Sequence, residues 1–199
     1  MKINYLSKAF TLIEILTSVA ILTVIMSVVI FNYSKFNNNI ALSSAGQEIT
    51  VAVRQAQVYG LSVKETSTGS GQFNTAYGIH FQPSDPTNYY VFADKNGNSV
   101  YDVGGGCGSV NTECIEKFSL KNGVKIFDIC NESSCSPLPG QNKLNILFKR
   151  PETNAIIYFG NNFGVNSSGP YQTGKIILIS PNSKESTITV ESTGYILTQ

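Results

Sequence analysis

The sequence predicts an α+β protein: a long N-terminal helix, transmembrane in its first half, packed on a C-terminal antiparallel β-sheet domain. Three observations carry that expectation. Residues 10–31 form a predominantly apolar run that no Pro or Gly interrupts. Apolar residues then recur at helical spacing to about Tyr59. After Phe73, short runs rich in aromatic and β-branched residues alternate with turn residues, and one helix followed only by strands makes an α+β domain. The expected organisation is a leader at 1–9, a helix over 10–62 that is transmembrane over about 10–31, and a β-rich exported domain over 63–199.

Composition bounds the alternatives. With 199 residues, 42% of them hydrophobic, the chain accommodates one ordinary domain and one membrane segment. Its net charge of +1 becomes −1 without the leader lysines Lys2 and Lys8. A near-neutral surface offers no broad attraction to nucleic acid or acidic lipid.

The run from Phe10 to Phe31 has 22 residues, and crossing a bilayer takes roughly 20. Lys2 and Lys8 precede it, which should hold the leader in the cytoplasm and put everything after Phe31 outside the membrane. It is too long for the core of a secretory signal, and no A-x-A cleavage site follows it. Glu14 is the anomaly. A carboxylate within a spanning helix costs about 2.5–3.5 kcal/mol, and a plain signal anchor has no need of one.

Beyond Phe31 the stripe Ile40, Ala45, Ile49, Ala52, Val53 and Ala56 keeps three- and four-residue steps, with Ser43, Gln47, Glu48, Arg54 and Gln55 on other faces. Gly46 reads as a weak point in this helix and Gly60 as its stop. Thr66–Phe73 is Ser/Thr/Gly-rich and reads as a loop. Strands are expected at about Tyr77–Phe81, Tyr89–Ala93, Ile115–Leu120, Val124–Ile129, Asn145–Phe148, Ile156–Phe159, Lys175–Ile179, Thr187–Val190 and Tyr195–Leu197, with turns at Lys121-Asn122-Gly123, Glu152-Thr153-Asn154 and Ser192-Thr193-Gly194.

Four cysteines, Cys107, Cys114, Cys130 and Cys135, are spaced C-x6-C and C-x4-C. Neither spacing fits a zinc ribbon or a redox CxxC, and the one histidine, His80, is remote in sequence. Outside the cytoplasm an even count reads as two disulfides. Local pairing, Cys107–Cys114 and Cys130–Cys135, is the expected connectivity, with free buried thiols as the alternative.

Asp94, Asn96, Asn98 and Asp102 are arranged like part of a calcium loop, with oxygen ligands at alternate positions around Gly97. No Glu stands where the full pattern needs one, so an Asn/Asp-rich turn is the preferred reading, and no metal or cofactor is expected. Gly104-Gly105-Gly106-Cys107-Gly108 lacks the Gly-Lys-Ser/Thr ending of a phosphate loop. His80 has neither a second histidine nor an evident nucleophile to work with, so no enzymatic activity is expected.

The stretch Lys8-Ala9-Phe10-Thr11-Leu12-Ile13-Glu14 resembles the processing signal of type IV pilins and type II secretion pseudopilins. The resemblance implies cleavage between Ala9 and Phe10 by a prepilin peptidase, N-methylation of Phe10, and an assembly role for Glu14, whose carboxylate would meet the freed amine of an adjacent subunit. Ala9 stands where that family usually has Gly; as the smallest substitute it should at worst slow cleavage. Farther on, Tyr90-Val91-Phe92-Ala93-Asp94-Lys95-Asn96-Gly97-Asn98 is similar to the "strand, then Asp-x-Asn-Gly-Asn" stretch of the GspH and FimT minor pseudopilins. Val53-Arg54-Gln55-Ala56 resembles that group's Ala-Arg-x-Ala, and Ile188–Tyr195 its final hairpin, where Gly-Arg is common. The cysteine-bearing middle has no counterpart in this resemblance.

What the resemblance implies is a minor pilin or pseudopilin with the pilin fold. It would sit single-pass in the inner membrane with its C-terminal domain outside the cytoplasm. Its partners would be other subunits and the prepilin peptidase, and its work filament assembly without chemistry of its own. The alternative is a minor pilin that captures DNA for transformation. DNA-binding members of that group cluster arginines near the Gly-Arg motif, whereas here no positive charge follows Lys184. Phosphate contacts carry much of the affinity for DNA, so nucleic acid is not an expected partner.

Overall fold

The computed structural model describes residues 10–62, 65, 71, 73–109, 112–135, 142–160 and 168–199. The expected leader with Ala9, and most of the expected Thr66–Phe73 loop, lie outside them. Helix α1, Leu12–Leu61, precedes ten strands: β1 Ala76–Phe81, β2 Asn88–Asp94, β3 Cys114–Ser119, β4 Lys125–Cys130, β5 Lys143–Phe148, β6 Ala155–Gly160, β7 Ser168–Tyr171, β8 Thr173–Ile179, β9 Glu185–Glu191 and β10 Ile196–Thr198. The protein is α+β. It divides into two units, Met1–Asn37 and Asn38–Gln199.

In the first unit, Thr11 starts α1 by accepting the Glu14 N–H on its hydroxyl at 3.3 Å, the arrangement of a Thr N-cap with Glu three residues on. The segment Leu12–Ile30 is long and apolar enough to cross a membrane, and none of it is buried within the protein. Its hydroxyls are turned inward on the helix. Thr17 and Ser18 donate to the Glu14 carbonyl at 3.0 and 2.7 Å. Thr23 donates to Ala20 O at 2.8 Å and Ser27 to Thr23 O at 2.9 Å. Donors satisfied in this way cost little in an apolar medium.

The second unit is built on two antiparallel sheets, with strand orders β3-β2-β1-β5-β6-β7 and β10-β9-β8-β4. One core joins them to the C-terminal stretch of α1. Ala41, Leu42, Ala45, Ile49, Ala52, Val53 and Ala56 of the helix pack with Ile79, Phe81, Val91, Ile146 and Phe148 of the larger sheet and Ile126, Ile176, Ile188 and Val190 of the smaller. Small side chains on the helix let backbones approach closely. Period-two alternation along the strands sends the other side chains of the larger sheet to its opposite face. There Ala76, Phe92 and Leu147 form a second core beneath Tyr101 and Cys114.

The structure corrects one expectation and sharpens two others. Ile40 is exposed, and the buried stripe instead begins at Ala41 and Leu42. At Gly46 the helix continues, and a Cβ there would stand 3.1 Å from Thr198 Cγ2, so the glycine admits β10. Helix α1 ends at Leu61, one residue beyond the stop expected at Gly60. A Cβ on Gly60 would fall 2.3 Å from the Phe148 carbonyl oxygen, which makes this a close-approach glycine. The structure also adds β7, a short edge strand holding Gly169 and Pro170 that carries little strand signal.

Candidate functional site

At the start of α1 the chain presents Phe10, Thr11 and Glu14 together. Phe10 is 76% exposed, and Glu14 occupies the first helical turn. A negative charge there is favoured by the positive end of the helix dipole. The site is therefore an exposed aromatic residue, a hydroxyl cap and one carboxylate at the tip of a segment whose other side chains are apolar or self-satisfied. Such a tip can offer a carboxylate to a cation inside an apolar medium. Ala9, expected to flank it, lies outside the described residues.

The second place of interest is the loop after β2. Asp94 Oδ1 accepts the N–H of Gly97 at 2.8 Å and of Asn98 at 3.1 Å, and Oδ2 accepts that of Ser99 at 3.0 Å. Asn96 and Asn98 both donate their side-chain amides to Asp102 Oδ2, at 2.6 and 2.9 Å. Their own carbonyl oxygens accept the Asn98 and Val100 N–H groups. The four residues are brought together, and these oxygens are turned on the loop's own donors. Gly97 has φ +78°, a left-handed value that glycine adopts without strain.

Sequence reasoning missed the residue that closes this loop. Glu113 is buried, and its carboxylate accepts the Lys95 N–H at 3.0 Å and the Asp102 N–H at 2.9 Å. It thus ties both ends of the turn to the segment entering β3. Burial raises its pKa, the two backbone donors oppose that shift, and the charges of Asp102 and Asp94 add to it. The available signal was slight: Glu113 is the first charge after Asp102 and adjoins Cys114.

Beneath the loop lies His80, fully buried. Its Nδ1 is 2.7 Å from Asn145 Oδ1, which also accepts the Tyr101 N–H at 3.2 Å. An oxygen already accepting one N–H sits opposite Nδ1, so Nδ1 carries the proton. Desolvation lowers the His80 pKa to about 4, against the opposing effect of the Asn145 and Gln82 side-chain oxygens beside its ring nitrogens. A buried, neutral ring with Asn145 and Gln82 at its two nitrogens fastens β1 and β5 to the loop; it has no open nitrogen for proton transfer to a substrate.

The two separated stretches Val53–Ala56 and Ser192–Tyr195 meet in space. Arg54 Nη1 donates to Gly194 O at 3.2 Å and to Gln57 Oε1 at 2.7 Å. Thr50 and Thr198 hydroxyls lie 3.1 Å apart. A Cβ on Gly194 would come within 2.9 Å of Thr153 O, so helix, β5–β6 turn and final hairpin converge at a glycine with φ +82°.

The cysteines form two local pairs at bonding distance, Cys107–Cys114 and Cys130–Cys135. Asp128 has an oxygen within 4.8 Å of the second pair, but sulfurs bonded to each other are not thiolates and do not ligate a metal as thiolates do. Arg150 donates to Phe73 O at 2.5 Å. No protein-family model, curated protein or solved structure matches this chain.

Proposed function

We propose that the protein is a minor pilin or pseudopilin, a structural subunit that enters a type IV pilus or type II secretion pseudopilus through its N-terminal helix. The observation that carries this reading is Glu14, a carboxylate in the first turn of an otherwise apolar, wholly exposed helical segment, directly after Lys8-Ala9-Phe10. A helix whose C-terminal stretch is seated among antiparallel strands is also what the pilin fold requires.

The mechanism follows from charge in an apolar medium. Cleavage between Ala9 and Phe10 creates an α-amino group, positive at neutral pH, which the peptidase methylates. Glu14 of one subunit pairs with that amine on its neighbour, and the pair offsets part of the cost of holding either charge away from water. Its position fixes the stagger between adjacent helices. The expected localisation is the inner membrane, with the domain outside the cytoplasm.

Glu14 also has a structural account, as the fourth residue of a Thr-x-x-Glu cap, and the two accounts separate experimentally. Gln serves a capping box as well as Glu does, but it carries no charge for the amine. Glu14→Ala and Glu14→Gln should both insert in membranes and both be depleted from sheared filaments. Leaving one charge of a buried pair unpartnered costs about 3–5 kcal/mol. Filament incorporation of Glu14→Gln at the wild-type level would leave only the cap. Mass spectrometry of the mature protein should find a methylated Phe10 as the first residue; retained Met1 or a cut beyond Phe31 would refute the processing.

A further inference from the structure

A groove of about 370 Å³ runs between α1 and β3. Val51 and Ala52 form its helix side together with the polar Ser44, Gln47 and Gln55, and Phe118 forms its strand side. The Phe118 ring is stacked on Tyr89, with centroids 5.2 Å apart and planes inclined by 7°, so the wall it makes is fixed. Glu48 lines the groove, and its carboxylate accepts the Tyr89 hydroxyl at 3.2 Å. Glu116 shares a face of β3 with Phe118 and accepts the Gln55 amide at 3.5 Å. In both contacts the carboxylate faces an uncharged donor.

The groove also opens beside an unpaired edge. β3 ends the six-stranded order, and its outer backbone edge faces no other strand among the described residues. A strand added there would sit about 4.8 Å away and send alternate side chains onto the groove side. The slot prescribes the chemistry of one of them. Val51, Ala52 and the Phe118 ring give an apolar stripe, in a groove otherwise lined by polar side chains, that takes the methylene stem of a long side chain, while the carboxylates and the Phe118 face favour a cation at its tip. Val51, an apolar residue 66% exposed in mid-helix, gains a contact that the isolated domain does not give it.

We propose that this groove docks an extended segment of a partner protein, which adds to the edge of β3 and lays one Lys or Arg along Val51 and Phe118, its charge ending against Glu48 and Glu116. The docking is independent of the assembly role of Glu14 and can fail or hold without it.

The test uses the full chain in detergent micelles and short blocked peptides of alternating Thr and Val, carrying Lys, norleucine or Glu at the centre. Calorimetric titration should show binding of the Lys peptide. Norleucine should weaken it by about tenfold or more, as expected for loss of a charge-assisted bond, and Glu should remove it. Glu116→Gln, an exposed position whose fold is checked by thermal melting, should weaken the Lys peptide by a similar factor. Methylating alternate backbone nitrogens of that peptide should abolish binding, because strand addition needs their N–H groups. Several results would overturn the proposal: no binding of the Lys peptide, equal binding of the norleucine peptide, indifference to Glu116→Gln, or survival of binding after N-methylation. Self-association of the chain that Glu116→Gln abolishes would replace the foreign partner with a second copy.

Discussion

The segment Leu12–Ile30 and the unit that begins at Asn38 satisfy their polar groups in opposite ways. In the first, each hydroxyl hydrogen bond reaches only three or four residues back, from Thr17 and Ser18 to Glu14 and from Thr23 to Ala20. In the second, the decisive bonds join residues far apart in sequence: His80 to Asn145, Tyr101 to Asn145, Glu113 to Lys95, Arg54 to Gly194. In an apolar medium any helix must solve its polar accounting within itself, because no partner is guaranteed there, and Leu12–Ile30 is long and apolar enough to enter one. A domain in water can spread that accounting over its whole topology, and then its loops stand or fall with its core.

The sharpest way to break this contrast is a pair of like substitutions. Ile49 is fully buried in the main core and Ile21 is 63% exposed. Ile49→Ala should destabilise the domain by about 2–5 kcal/mol, the usual range for emptying a core site. Ile21→Ala should leave domain unfolding within about 0.5 kcal/mol of wild type. Chemical denaturation in micelles, followed by tyrosine fluorescence, compares them. Equal effects would refute the contrast between the two segments.

Next in size is the response to acid. His80 is neutral in the fold, with its pKa lowered to about 4, from 6.5, chiefly by desolvation. Below pH 6.5 the unfolded chain takes up a proton that the folded chain refuses, so stability falls as pH drops from 6.5 toward 4 and is fully present above that window. The slope is about 1.4 kcal/mol per pH unit, and the loss reaches about 3 kcal/mol. Since His80 is the only histidine, its ring protons in an NMR titration report this group alone. A folded-state midpoint near 6.5 would show that the ring is not sequestered.

How much could be read from the sequence follows the same division. The apolar segment and the β-branched strands rest on local patterns, and they were legible. Gly60 was legible as a stop within one residue of the helix end, but its close approach to Phe148 was not, because a helix C-terminus and a close backbone approach ask for the same residue. β7 was missed because Ser168-Gly169-Pro170-Tyr171 lacks β-branched residues and earns its place only by pairing with β6. For the Asp94 loop the ligand-like residues were visible but Glu113 was not, since nothing local says that a carboxylate nineteen positions away returns to close the turn. Arg54 and Gly194 were each noticed, and only the fold makes them one contact.

Glu113 offers a finer probe. Ala there takes the Glu113 acceptor from two half-buried N–H groups, of Lys95 and Asp102. Each orphaned donor costs about 1–3 kcal/mol, although water reaching the loosened loop recovers part of it. We expect Glu113→Ala to lose about 2 kcal/mol and Glu113→Gln less, because the amide oxygen still accepts one bond. Hydrogen exchange should quicken first at Lys95 and Asp102. Exchange that quickens uniformly across β1 and β5 instead would mean that the loop and the sheet open as one unit.

The smallest effect is expected at Arg54, where the long-range rule operates at the surface. Its guanidinium spans Gln57 on the helix and the Gly194 carbonyl in the final hairpin, but the residue is exposed, and solvent competes for every donor. Arg54→Ala should therefore cost only about 1 kcal/mol. The location of that loss is more informative than its size. β10 is three residues long and ends its sheet, and the hydroxyl contact of Thr50 with Thr198 is its other polar tie to the helix. Loosening should thus appear as faster exchange at the Thr187 and Gln199 amides, which bond each other's carbonyls, while β8 stays protected. Arg54→Lys separates reach from charge: both bonds leave the single nitrogen Nη1, so an ammonium that reached the same place would keep them, and Lys behaving like Ala would show that the shorter side chain falls short. Full protection of the hairpin in Arg54→Ala would show that packing of Ile196 against the core holds it without the arginine, and that here a bond between distant residues is decoration on the fold rather than part of it.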